Sequence, residues 1–569
     1  MKRKKKDQQA KRRAAQQAWR AWIILSLFVL SAFILGWRAI DQQLLQKAFL
    51  QDQGNRRHLA ERSLAAYRGV ITDRRGTVLA LSTPLVSIAV DPRKLPTGTK
   101  QRRILAKALQ IPFENLQTKL EEYAKKHHLY LKKHIPPDYA AHIHKTLTAA
   151  NISGFYLEKQ QHRRFYPTGE AFSQIVGFTD YRDQGQEGLE RLYNTSLQGQ
   201  PGHKRVLRDG QGRAVQDSAN SQLPIDGQTL VLSLDHRLQY IAYRELKTAV
   251  QYHNAIGGSA VLLDVGTGEV LAMVNQPGFN PNDRKARTGS KIRNRAMTDI
   301  FEPGSTMKPL VVAAALETEK IQPDSLIDTT GHIQLGDSTI RDSRELGKID
   351  LSTLLGLSSN EGAAQIALSL DKTEFWYYLQ QYGFGESLAT GFPAEANGHL
   401  PDYTKWSQID QANLGFGYGL SGSTLHLAQA YGILANDGIR LPVSLIKQTQ
   451  TPVGTRVMHA ETTRIVRRLL HRVATPQGTA PQAAVPGYQV AGKTGTVKKI
   501  HRGTYSTDRH RAIFVGMAPL EQPRLVLAVI LNEPRNGEYY GGRVAGPVFA
   551  KVMGEALRLM NVPTHTKHR

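Results

Sequence analysis

The stretch Phe301-Glu302-Pro303-Gly304-Ser305-Thr306-Met307-Lys308, followed by an apolar run over residues 309–316, decides how the rest of the chain is read. Pro303-Gly304 breaks whatever precedes it, and the Ala/Val/Leu-rich run after it predicts a buried helix. Ser305 then falls in the first turn, with Lys308 three residues on and on the same face. A serine hydroxyl is a weak nucleophile until a base takes its proton. A lysine one turn away does so when burial or neighbouring cations leave it neutral. The helix N-terminus adds free amide donors where negative charge would develop.

Ser-x-x-Lys alone says little, and the chain has three: Ser305/Lys308, Ser369/Lys372 and Ser444/Lys447. Company separates them. An acyl-transfer site of this kind also needs a second hydroxyl to relay protons, an amide to hold the substrate backbone and a cationic strand to receive a carboxylate. Ser358-Ser359-Asn360 follows Ser305, and Lys493-Thr494-Gly495-Thr496 follows that; neither other pair has a Ser-x-Asn between itself and Lys493. Penicillin-binding proteins and related β-lactamases share this ordered trio, with Ser-Asp-Asn in the middle place.

On these motifs the chain resembles the class B penicillin-binding proteins, specifically the division-type peptidoglycan D,D-transpeptidases (FtsI type), over nearly its whole length. The resemblance implies an α+β fold: a single N-terminal transmembrane helix, a β-rich pedestal, and a penicilloyl-serine transferase domain with helices packed on an antiparallel sheet. It also implies roles. Ser305 is the nucleophile that forms an acyl-enzyme with a stem peptide, and Lys308 is its general base. Ser358 relays a proton to the departing D-alanine, with Lys493 tuning it. Asn360 orients Lys308 and the substrate backbone. Thr494, Gly495 and Thr496 line the carboxylate site, with the amides of Ser305 and Thr496 as the oxyanion hole. The implied partners are peptidoglycan stem peptides, β-lactams as inhibitors, a membrane-embedded glycosyltransferase and other divisome proteins.

Composition sets the bounds. At 569 residues there is room for about two to four domains. An apolar fraction of 40 % argues against wholesale disorder. With no cysteine, disulfides, thiolate metal sites, cysteine nucleophiles and a lipoprotein anchor are excluded. A net charge of +26 raises the question of a nucleic-acid binder. Nine basic residues against one acid in the first twenty supply +8 of it, directly before residues 21–37, which carry no charge and are bordered by Trp19, Trp22 and Trp37. That pattern predicts an uncleaved spanning helix with a cytoplasmic N-terminus and an exported remainder, and the resemblance implies a bacterial inner membrane and the division septum. Topology and anionic lipid explain the basic tail, so no nucleic acid is expected.

The reading divides the chain into a basic tail (1–20), a transmembrane helix (21–38), a polar, helix-compatible stalk (39–66), a pedestal (67–226), a transpeptidase domain (227–560) and a tail (561–569). Residues 68–80 read as a hairpin turning at Arg75-Gly76. That segment, Arg164-Phe165-Tyr166-Pro167 and residues 185–191 resemble pedestal signatures of the family. Between them, His127, His128, His142 and His144 read as a solvated face. No motif for a metal, nucleotide or organic cofactor is found, and no Glu-Asp-x-x-Phe of a glycosyltransferase module.

In the catalytic part a strand (229–234), a helix (235–250) and a hairpin (258–275) come before the helical insertions, and strands at 512–517 and 525–532 close the sheet. Residues 415–421 resemble the glycine-rich segment before a cleft-lining helix. Ser423-Thr424-Leu425-His426 departs from the family's Thr-Pro-x-Gln there, and His426 reads as packing. Residues 538–543 and the helix over 547–560 match the division-type C-terminus. Two alternatives stand beside transpeptidation: a D,D-carboxypeptidase hydrolysing the same acyl-enzyme, and a mainly structural divisome scaffold. A class A β-lactamase is disfavoured, since no Glu-x-x-Leu-Asn lies between Asn360 and Lys493.

Overall fold

The computed structural model describes residues 2–208 and 214–564, so the expected tail 561–569 lies mostly outside the described residues. The chain divides into two compact units. The first joins residues 1–66 to 200–225. Helix α1 (Lys2–Ile40) contains most of an apolar span, Ala18–Leu45, that is long enough to cross a membrane and has no residue buried in the protein. A helix over Lys47–His58 follows. The expected stalk does not stay helical: Leu59–Leu64 is a strand, paired antiparallel with Gly202–Arg208, which pairs in turn with Ala214–Gln222. Residues 200–225, at the end of the expected pedestal, pack with the N-terminal segment. Pairing across some 140 residues leaves no local sequence pattern from which to read it.

The second unit holds the pedestal and the catalytic half. Strand β1 (Ile71–Thr72) turns through Asp73, whose carboxylate accepts the amides of Arg75 and Thr77, into the long β2 (Val78–Val90). Gly76 has a φ of +90°, which explains its place in this hairpin. β3 (Leu129–Ile135) and β4 (Phe155–Phe165) both pair with β2, and β5 (Leu230–Val231) adds to β1 in parallel. The three pedestal signatures meet at a buried ion cluster. Arg68 Nε lies 2.7 Å and Arg164 Nε 2.6 Å from the two carboxylate oxygens of Glu190. His127, His128, His142 and His144 are exposed, as expected of a solvated face.

The catalytic sheet is antiparallel throughout, in the order β7 (Val270–Gln276), β6 (Gly257–Asp264), β10 (Leu525–Asn532), β9 (Thr504–Ala518), β8 (Ala491–His501). Its middle strand therefore comes from the end of the chain. Every residue of β6 and β7 is buried, as required of strands covered on both faces. Asp235 caps the N-terminus of α2 (His236–Tyr252) by accepting the Arg237 amide. α2 packs on the sheet together with the C-terminal helix α7 (Gly546–Leu559). The inserted helices include α3 (Lys308–Glu317), α4 (Leu351–Leu357), α5 (Asn360–Ser369) and α6 (Thr424–Ala435). Eight of the ten residues of α3 are buried, so the helix carrying Lys308 runs through the core.

Candidate active site

Ser305 lies in a 3₁₀ turn, Gly304–Met307, that runs into α3, one step earlier than a regular first α-turn. Gly304 permits this turn: its φ is +57°, and a Cβ there would sit 2.5 Å from Val497 Cγ2 on β8. The glycine-rich segment approaches from the other side. Gly417, at φ +86°, receives the Gly304 amide at 3.0 Å on its carbonyl, and a Cβ on it would lie 2.1 Å from Gly304 O. Tyr431 of α6 holds the turn from beneath, its hydroxyl donating to Thr306 O at 2.8 Å.

α4 ends at Ser358, which adopts the left-handed conformation (φ +67°) that a residue with a Cβ rarely takes. The strain is held by contacts on both sides. Lys308 Nζ donates to Ser358 O at 2.6 Å, and the Ser359 amide donates to Leu354 O at 3.0 Å. The result aims the Ser358 hydroxyl between two lysines, 3.2 Å from Lys308 Nζ and 3.0 Å from Lys493 Nζ. Asn360 Oδ1 lies 2.8 Å from Lys308 Nζ. Lys308, Ser358, Asn360 and Lys493 thus converge as a cluster, with Ser305 in the turn just before Lys308, while the other two Ser-x-x-Lys pairs lie elsewhere. Ser369 bonds Ile366 O and Lys372 reaches Trp406 O; Ser444 bonds Ile446 O and Lys447 reaches Arg74 O.

Both site lysines are completely buried. Burial, with Lys493 beside it, pushes the Lys308 amine well below the usual lysine range, and the negative charge of Asp342 works against this. Burial takes Lys493 down to about 7. Three contacts hold the Lys308 amine in place. Nζ donates to Ser358 O, Ser358 Oγ and Asn360 Oδ1, which fix its position beside the Ser358 hydroxyl.

Lys493 opens the Lys-Thr-Gly-Thr run on the edge strand β8, where Gly495 leaves room against Thr306 and Pro303. Thr494 Oγ1 is 3.0 Å from Thr479 Oγ1, and Thr496 Oγ1 accepts the Gly541 amide at 3.0 Å. The segment 538–543 therefore backs directly onto this strand.

Asp342 was not legible in the sequence. It lies 16 residues before Ser358 in an irregular segment, with no motif to mark it. Its carboxylate accepts the Asn360 amide and the Glu361 amide (3.3 Å), and Ser359 Oγ donates to it at 2.5 Å. One carboxylate thus fixes the start of α5 and with it Asn360. His426 is accounted for as packing. Its Nδ1 closes a capping box with Ser423, its Nε2 lies 2.9 Å from Glu386 O, and its ring stacks on Phe384. Among the described residues one trio of ligand-type side chains comes together, Asp73, Asp235 and His236. Asp73 and Asp235 are already engaged there by amides, His236 and Arg237.

Known proteins share this arrangement. The penicillin-binding protein transpeptidase domain matches residues 258–554, and the penicillin-binding protein dimerisation domain matches residues 63–232. A Neisseria gonorrhoeae protein described as a probable peptidoglycan D,D-transpeptidase, PenA, is 37 % identical over 562 residues, covering 98 % of this chain and 95 % of its own. The Escherichia coli peptidoglycan D,D-transpeptidase FtsI is 37 % identical over 554 residues, covering 96 % and 92 %. The structure of penicillin-binding protein 3 from Mycobacterium tuberculosis, complexed with aztreonam, superposes with a TM-score of 0.68 at 28 % identity, over 89 % of this chain and 98 % of its own. With both domain families matched and near full-length relatives of this identity, the chain belongs to the class B penicillin-binding proteins of the FtsI/PenA type.

Proposed function

We propose that this protein is a peptidoglycan D,D-transpeptidase that cross-links stem peptides through an acyl-enzyme on Ser305. The observation that carries the reading is the hydroxyl of Ser358 held between two fully buried lysines, at 3.2 and 3.0 Å. Lys308, neutral at rest, takes the Ser305 proton as the hydroxyl attacks the penultimate D-alanine carbonyl. The Ser305 and Thr496 amides receive the developing oxyanion, a contribution of a few kcal/mol per donor. The proton then passes through Ser358 to the departing D-alanine, whose carboxylate rests against Lys493, Thr494 and Thr496. An amine of a second stem, of diaminopimelate type, takes the acyl group in place of water.

β-Lactams, which mimic the D-Ala-D-Ala terminus, are expected to acylate the same serine. The relatives named FtsI, the apolar N-terminal helix and the basic segment before it support a septal role. In that role the protein is anchored in the inner membrane with its catalytic domain in the periplasm, beside a membrane-embedded glycosyltransferase and other divisome proteins. The test is to expose the full-length protein to a labelled penicillin and map the adduct by mass spectrometry. A stable adduct on Ser305, lost in Ser305→Ala, is the expected result. No adduct on folded protein would leave a scaffold role, and rapid loss of the label would point to a hydrolase.

A further inference from the structure

Outside the lysine cluster, the pedestal and a segment of the catalytic half enclose a cavity of about 190 Å³ whose walls include Arg163, Arg164, Arg284 and Arg287. Guanidiniums concentrated in a concave space repel one another unless anions compensate them. Here the compensation is incomplete. Arg164 shares Glu190 with Arg68, but it is only 3 % exposed and its Nη2 has no hydrogen-bond partner among the described residues. Arg163 donates to the carbonyl of Asn282 at 3.2 Å, and Arg287 to the carbonyls of Pro281 and Thr179, both at 2.7 Å. Among the described residues, neither forms a salt bridge, and the exposed Arg284 side chain makes no hydrogen bond or ion pair.

Two acids share the walls, Asp180 and Asp183. Asp180 is occupied by the amides of Arg182 and Gln184. Burial pushes the Asp183 carboxyl up, against the pull of Arg164 and Arg68, so it compensates those two guanidiniums only in part. The guanidinium of Arg287 is pushed down by burial and by the charges of Arg284 and Arg163, with Tyr166 and Asp283 acting against this.

We propose that this cavity is a binding site for a phosphate or diphosphate group. Four arginines from two chain segments lining one cavity suit a polyvalent oxyanion, whose oxygens accept from planar forks. The volume holds such a group and leaves no room for a glycan chain. An anion seated there would link Arg163 and Arg164 of the pedestal to Arg284 and Arg287 of the catalytic half. The chemistry is shared by free phosphates and phospholipid headgroups, so the test uses both.

The experiment is isothermal titration of the full-length protein in neutral detergent with sodium pyrophosphate and with dihexanoyl phosphatidylglycerol, using dihexanoyl phosphatidylcholine as the zwitterionic control. It is repeated on Arg163→Gln/Arg284→Gln, two side chains that together make one hydrogen bond to a carbonyl. The melting temperature and the rate of penicillin acylation report that the variant is folded and otherwise intact. Saturable pyrophosphate binding, about tenfold or more weaker in the variant, is the expected result. If phosphatidylglycerol alone binds and the variant loses it, the ligand is a lipid headgroup. The proposal is overturned if neither probe binds the wild type, if phosphatidylcholine binds as well as the anionic probes, or if the variant binds as tightly as the wild type.

Discussion

In the pedestal, the guanidiniums of Arg68 and Arg164 share the carboxylate of Glu190 at 2.7 and 2.6 Å; in the catalytic half, Lys308 and Lys493 share the hydroxyl of Ser358 at 3.2 and 3.0 Å. All four cationic side chains are buried. The partners differ, and so do the consequences. Arginine stays charged, and a carboxylate between two of them makes a fixed, hydrogen-bonded knot that ties three distant segments together. A hydroxyl supplies no charge, so burial drives the lysines toward their neutral amines, which are proton acceptors. The first arrangement is built to hold and the second to exchange protons.

The sharpest way to break this comparison is to remove one member from each cluster. Lys308→Met should slow acylation of Ser305 by roughly 10²- to 10⁴-fold, the usual worth of a general base. It should leave the melting temperature unchanged or higher, because a buried amine held away from its preferred charge is removed. Glu190→Gln should do the opposite. Leaving two buried guanidiniums without a carboxylate should cost about 3–5 kcal/mol in denaturant unfolding, with acylation of the remaining folded protein little altered. Equal stability losses in the two variants would dissolve the distinction. A smaller effect is expected at Asp342, which sharpens the catalytic side by acting through Asn360. Asp342→Ala should slow acylation about 10- to 100-fold by loosening the start of α5, with Asp342→Asn recovering part of the rate. A variant that only melted earlier, with its acylation rate intact, would make Asp342 a stability residue.

How much of this was readable from the chain follows from the range of each signal. The Ser305, Ser358 and Lys493 motifs carry their chemistry in three or four consecutive residues, and the structure brings them together. The hairpin expected over 258–275 forms, turning through Val265-Gly266-Thr267-Gly268 with Gly268 at φ +70°. The contacts that refine the site are long-range and have no local pattern. Asp342 reaches the Ser358-Ser359-Asn360 loop, and Gly417 closes on Gly304 across more than a hundred residues. The same holds for residues 200–225, whose pairing partner is the strand Leu59–Leu64. Left-handed Ser358 was equally hidden, since serine carries no preference for that conformation and its backbone is held by the distant Lys308 and by Leu354 O.

The division of labour between the two lysines has a direct test in the pH dependence of the second-order acylation rate, measured with benzylpenicillin and with its methyl ester. In the free protein Lys493 is an ammonium below about 7 and a neutral amine above it, so recognition of a carboxylate weakens as pH rises through that value. The predicted result is a fall in rate above about pH 7 for the free acid that is absent for the ester. The same alkaline fall with both compounds, or with neither, would contradict the assignment of Lys493 as the ionised partner that reads the carboxylate.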